Sequence, residues 1–238
     1  GYYQYYYRQE NFLIYEELKK GFLEGRNGKG SLYIKAAGND YYTRYHSYVG
    51  NANMEGLNNH PFYIVTGAYN SDGLKSSYSS PGSSLWISAP GGEYGINKPG
   101  IMTTKNEGCH YWGGRYRNGL PYNSFEKEDH QENRDCKYTS TFNGTSAAAP
   151  HVSGIVAIML KANPDLTSRD IKHILALTAD PKIMSDISKD PMTKSELYFE
   201  GNLIPYEYGT RSNSAGFSFD NHYGFGTINA EKAINLAK

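Results

Sequence analysis

The first apolar positions fall at helical spacing. Leu18, Phe22 and Leu23 lie among charged neighbours over residues 16–23, which predicts a short helix. Gly25 and the loop Arg26-Asn27-Gly28-Lys29-Gly30 end it. Short apolar runs then mark three strands: residues 31–37, stopping at Gly38-Asn39, residues 62–69 and residues 84–89. The polar, aromatic stretch 40–61 carries Gly50, Gly56 and Pro61 and is too long for a plain connector. Residues 103–142 show no hydrophobic period and read as a long surface insertion. Residues 146–161 are small and apolar throughout, which predicts a helix buried on most sides. Thr167-Ser168-Arg169-Asp170 spells a capping box that opens a helix running to about Leu177. Residues 180–222 read as irregular, and residues 228–237 as a closing helix. No repeat or linker divides the chain, and short buried strands alternating with helices predict an α/β layer fold around a parallel sheet.

Composition narrows the function. The 238 residues carry 24 Lys+Arg and 24 Asp+Glu, a formal net charge of zero, so no electrostatic footprint points to nucleic acid or an anionic membrane surface. The longest apolar run, residues 155–160, falls far short of the roughly 18–20 residues of a membrane span. A mean hydropathy of −0.67 is polar, but 23 tyrosines are too many for a disordered chain. The chain opens on Gly1 and a tyrosine-rich stretch, not on a basic segment followed by an apolar one. This is no signal peptide, and the expectation is that the N-terminus was removed, processed or never included. The tyrosines at 2–7 either rim a cleft or pack against further chain. Cys109 and Cys136 permit at most one intramolecular disulfide.

The most informative segment is residues 143–154, Asn-Gly-Thr-Ser-Ala-Ala-Ala-Pro-His-Val-Ser-Gly. A Ser stands where an irregular loop enters a helix, between Gly and small residues, and backbone N–H groups at such a helix start can stabilise a developing oxyanion. Pro150 is expected in the first turn, where its missing N–H is harmless. Gly144-Thr145-Ser146-Ala147 with Ala149-Pro150, followed by Gly154, closely resembles the nucleophile motif of the subtilisin-like serine proteases. The resemblance implies that Ser146 is the nucleophile, with Gly144 and Thr145 lining the substrate site. Ala36-Ala37-Gly38-Asn39, upstream as in that family, resembles its oxyanion segment. It implies that the Asn39 side chain and the Ser146 backbone N–H hold the oxyanion, with Gly38 beside the substrate.

Further segments resemble the kexin and proprotein-convertase-like branch: residues 28–33, residues 77–83 leading to Ser88-Ala89-Pro90-Gly91, residues 163–175, and Tyr223-Gly224-Phe225-Gly226 with Ile228-Asn229-Ala230. The similarity runs from about Glu16 to Ala237. It implies a three-layer α/β/α fold with a mostly parallel sheet, of which residues 1–238 form only the C-terminal part of a peptidase catalytic domain. The family's earlier Asp and His motifs have no counterpart. None of the seven histidines precedes Gly-Thr, and the single Asp-Gly pair, Asp72-Gly73, follows the oxyanion segment and reads as a turn. His151, five residues past Ser146, reads as a helix-packing residue. The Asp and His are therefore expected upstream of Gly1, and without them the chain alone is expected to be nearly inert and, with half a sheet exposed, prone to aggregate.

The branch places an acidic residue after the oxyanion Asn to face a basic P1 side chain, and Met54-Glu55-Gly56 fits that pattern; a solvated loop Glu is the competing reading of Glu55. Asp40-Tyr41 after Asn39, and Lys105 after Thr103-Thr104, depart from the branch's usual residues. Structural Ca²⁺ is implied by the resemblance only, with no contiguous calcium loop in the sequence. Cys109 and Cys136, with His110 and His130 between them, either hold zinc or, as the mostly secreted relatives imply, form a disulfide. Asn143-Gly144-Thr145 is a glycosylation sequon by form but reads as coincidence beside the nucleophile. The resemblance implies a secreted, periplasmic or cell-surface endopeptidase whose partners are a polypeptide substrate and the upstream half of its own domain. The alternative is a non-catalytic relative that binds peptide or protein.

Overall fold

The computed structural model describes residues 7, 12–41, 50–94, 98–105, 109, 116–117, 120–121, 124–126, 130–181, 196–199, 202–205 and 209–238. Residues 2–6 of the tyrosine cluster and His110 lie outside them. Helix α1 (Phe12–Glu24) leads into strand β1 (Tyr33–Ala36), followed by β2 (Tyr63–Tyr69) and β3 (Leu85–Pro90). These three form one parallel sheet in the order β1-β2-β3, with Tyr33 opposite Tyr63 and Thr66 opposite Ile87. Ile34, Ile64, Ala68 and Ile87 pack against the later helices, whereas Tyr33, the neighbour of Ile34, meets α1, which approaches so closely that a Cβ at Gly21 would collide with the tyrosine hydroxyl. Sheet with helices on both sides is the α/β layering that the alternation of elements predicts.

The helical side is built from α2 (Thr145–Ala162), α3 (Ser168–Thr178) and α4 (Ala230–Ala237). Val152, Val156 and Met159 of α2 meet Ile171 and Leu175 of α3 and Ala233 of α4 in one buried cluster under the sheet. The Thr167 hydroxyl accepts from the Asp170 N–H at 3.1 Å, and Asp170 accepts from the Thr167 N–H at 2.9 Å, completing the expected capping box. Asn229 caps α4 through the Lys232 N–H.

Four expectations change. First, α2 is buried on one face only: Ser153, Gly154, Ala157 and Ile158 are exposed. A uniformly small and apolar helix hides which face is covered, because its pattern carries little amphipathic contrast. Second, α2 begins at Thr145, so Pro150 sits in its second turn and has no N–H to offer the Ser146 carbonyl. Third, the insertion has ordered stems. Strand β4 (Ile101–Thr104) pairs antiparallel with β7 (Tyr138–Phe142), and the short strands β5 (Tyr116–Arg117) and β6 (Leu120–Pro121) pair between them. The threonine-rich stems lie at the surface with no fully buried position, and Met102, Tyr138 and Phe142 are exposed, so they carry no alternating apolar signal. Fourth, downstream, β8 (Glu196–Phe199) pairs with β9 (Asn202–Pro205), and β10 (Arg211–Ser212) with β11 (Ser218–Phe219), inside the stretch read as irregular. Among the described residues no helix is long and apolar enough to cross a membrane.

Candidate active site

The C-terminal ends of β1 and β3 converge on the start of α2. Gly144, just before the helix, has φ +105°, a conformation open to glycine; a Cβ there would come within 3.3 Å of the Asn39 side-chain nitrogen. Its N–H donates to the Tyr78 hydroxyl at 2.8 Å, and that hydroxyl lies 2.7 and 2.8 Å from the carbonyls of Gly91 and Gly92, just beyond β3. Tyr78 is buried, and burial pushes its phenol up to about 12. It ties the end of the sheet to the helix start.

The first-turn donors of α2 can be accounted for one by one. The N–H groups of Ala147 and Ala148 both turn back to the Gly144 carbonyl, at 2.9 and 3.3 Å. The Thr145 N–H donates to Asn39 Oδ1 at 2.8 Å, and the Thr145 hydroxyl donates to the same oxygen at 2.9 Å. That leaves the N–H of Ser146, which meets no acceptor among the described residues. Ser146 and Asn39 are both exposed. Because Asn39 Oδ1 is occupied by Thr145, the amide NH₂ faces away from Thr145. A solvent-facing hydroxyl thus stands on a helix start that has one backbone donor without an acceptor among the described residues and that is bonded, through Thr145, to an oriented amide.

Thr145, expected to line the substrate site, is fully buried, with its hydroxyl bonded to Asn39 and accepting from the Gly38 N–H at 3.1 Å. Gly144 is buried as well. Gly38 is half-buried, its carbonyl held by the Ser80 N–H at 3.1 Å. The roles of Tyr78 and Thr145 as clamps lay beyond the sequence reading, since both signals are contacts between segments far apart in the chain. His151 is exposed, not packed; its ring Nδ1 lies 2.8 Å from the Ala147 carbonyl of its own helix. Asp72-Gly73 is the expected turn: the Gly73 N–H donates to the Asn70 carbonyl at 3.0 Å, and Asp72 pairs with Lys98.

Glu55 links two short 3₁₀ turns, Ala52–Met54 and Gly56–Asn59, and its carboxylate lies 3.1 Å from Lys35 Nζ of β1. The buried Asn58 amide fastens these turns to the end of β1, donating to the carbonyls of Ala37 at 3.2 Å and Ala52 at 2.8 Å. Glu55 is thus ion-paired, with its side chain 37% exposed. The lysine partner was not foreseen, although a lone charge in an otherwise apolar strand is a signal for one.

Cys109 and Cys136 form a disulfide that spans the insertion, which removes the zinc alternative for this pair. Among the described residues no three His, Cys, Asp or Glu side chains converge as a metal site, so the calcium expectation finds no ligand set there. Asn143 Nδ2, the atom a glycan would modify, is buried.

The sequence profile of the Subtilase family matches residues 13–226. The Aeromonas extracellular serine protease of Aeromonas sobria is 34% identical over 97% of this chain and 39% of its own length. The crystal structure of the serine protease of Aeromonas sobria matches with a TM-score of 0.80 at 30% identity, over 100% of this chain and 42% of that one. The dibasic-processing endoprotease of Schizosaccharomyces pombe is 30% identical over 93% of this chain and 23% of its own. The chain spans less than half the length of these relatives. With the profile running along most of the sequence, and a Ser-bearing helix start clasped to a Gly-Asn strand end, the chain belongs to the Subtilase family.

Proposed function

We propose that this chain supplies the nucleophile and the oxyanion donors of a serine endopeptidase. Ser146 Oγ attacks the scissile carbonyl carbon and passes its proton to a histidine. The developing oxyanion is held by the Ser146 N–H and the Asn39 amide; the C–N bond then breaks as that proton reaches the leaving amine, and water releases the acyl group. In this reading the histidine and its orienting Asp come from the upstream half of the same domain. The observation that carries this reading is the pair of hydrogen bonds from Thr145 to Asn39 Oδ1, which turns the amide NH₂ away from Thr145, the residue before the exposed Ser146.

Glu55 is the residue that favours a basic P1 side chain. The turns that carry it are pinned to the Ala37 carbonyl, two residues before Asn39, and a relative of this chain bears the name dibasic-processing endoprotease. Export is the matching localisation: the Cys109–Cys136 disulfide belongs in an oxidising compartment, and the Aeromonas relative is named extracellular. The test is covalent labelling of the complete protein by a serine-reactive phosphonate. Labelling that disappears in Ser146→Ala supports catalysis, whereas a folded protein that takes no label favours a peptide-binding relative without activity.

A further inference from the structure

Lys35 is the one charged residue of β1, whose other members are Tyr33, Ile34 and Ala36. Ile34 faces the helical core, which puts Lys35 on the opposite face of the sheet. There Ala37, Ala52, Val65 and Leu85 form a second small apolar cluster. The lysine side chain is only 20% exposed, and its ammonium lies 3.1 Å from Glu55 Oε1, itself 37% exposed. Among the described residues neither side chain has a second ion pair. A half-buried ammonium on an apolar strand needs such a counter-charge. The consequence is that Glu55 already carries a cation supplied by its own chain.

We propose that Lys35 sets the P1 selectivity of this site by competing with the substrate for Glu55. This rests on the reading of Glu55 as the P1-facing carboxylate. A substrate Arg or Lys entering beside Ala37 and Gly38 meets a neutralised pair instead of a bare carboxylate. It must share Glu55 with Lys35 or displace it, and the second cation brings like-charge repulsion into a partly desolvated space. The two basic side chains pay differently for this. The planar guanidinium of Arg can engage Oε2, which meets no partner among the described residues, with a fork of donors while Lys35 keeps Oε1. The ammonium of a P1 Lys is a point charge that repels Lys35 directly. The site therefore prefers Arg to Lys at P1, and its preference for either over a neutral residue is weaker than an unpaired Glu55 would give.

The experiment uses the complete protein and fluorogenic peptides that differ only in P1: Arg, Lys, Gln and norleucine. The wild type is compared with Lys35→Met, Glu55→Gln and the double variant, with the norleucine peptide as internal reference for folding and chemistry. The expected result is that Lys35→Met raises the basic-to-neutral ratio of kcat/KM by about two- to fivefold, the effect of one partly screened charge pair, and more for Lys than for Arg. Glu55→Gln then erases the preference in both backgrounds. If Lys35→Met leaves the ratio unchanged while Glu55→Gln lowers it, the competition is refuted and the Glu55 reading stands. If Glu55→Gln changes nothing, the Glu55 reading fails and the competition with it. If the wild type and Lys35→Met both take the phosphonate label yet neither shows any dependence on P1 charge, both are overturned while Ser146 keeps its role.

Discussion

Asn39 Oδ1 accepts two hydrogen bonds from Thr145, one from its backbone N–H at 2.8 Å and one from its hydroxyl at 2.9 Å. The backbone donor cannot reverse its role, so a flipped carboxamide would set NH₂ against N–H. The orientation of Asn39 is thereby locked by the residue preceding Ser146, and the strand end and the helix start act as one unit.

Loss of the Thr145 hydroxyl loosens that lock without touching substrate. Thr145→Val is expected to lower kcat of the complete protein by about 10- to 100-fold with little change in KM, and Thr145→Ser to restore most of it. The upper limit is set by subtilisin, of the same family, where loss of the oxyanion Asn itself costs about 10²–10³. Steady-state kinetics on one peptide check this. A rise in KM that matches the fall in kcat/KM, with kcat unchanged, would make Thr145 a ground-state binding residue instead.

Tyr78 bridges Gly144 to Gly91 and Gly92 through one buried hydroxyl. Tyr78→Phe leaves the Gly144 N–H without its acceptor, and a destabilisation of about 1–3 kcal/mol is expected in denaturant titrations. The pH dependence follows from a phenol raised from 10.0 to about 12 by burial. The unfolded chain releases this proton first, so the stability it provides is complete below pH about 10 and is lost as pH rises towards 12. Tyr78→Phe should remove this residue's share of the alkaline slope.

His222 gives the opposite limb. It is buried against Tyr41, its two ring nitrogens meet no partner among the described residues, and burial, aided by the charge of Lys75, pushes it from 6.5 down to about 3. The folded state keeps the ring neutral while the unfolded chain protonates it. Its contribution is therefore present above pH 6.5 and lost as pH falls towards 3, with a slope of up to about 1.4 kcal/mol per pH unit. His222→Phe should flatten the acid limb between pH 6.5 and 4.5. An unchanged slope would mean that His222 is protonated in the fold.

Elements whose signal is local were legible in the sequence. The capping box of α3, the strand ending at Gly38-Asn39 and the small-residue entry to α2 each depend on neighbours within one turn or one strand. What escaped depends on distant contacts. The stems β4 and β7 find each other across the insertion, and their threonines show no apolar alternation. The covered face of α2 is decided by what packs on it, not by its own uniform composition. Within the site, Asn39 is bonded to Thr145, the residue before Ser146, 106 positions away, and the Tyr78–Gly144 contact and the Lys35–Glu55 pair likewise join residues at least 20 positions apart.

The most direct test of the central claim is phosphonate labelling of the complete protein, read by intact mass, in the wild type, Ser146→Ala and Asn39→Ala. The account predicts one adduct in the wild type, none in Ser146→Ala, and labelling slowed by about 10²-fold or more in Asn39→Ala, which keeps the nucleophile but loses an oxyanion donor. Undiminished labelling in Ser146→Ala, or a folded wild type that is never labelled, would contradict it.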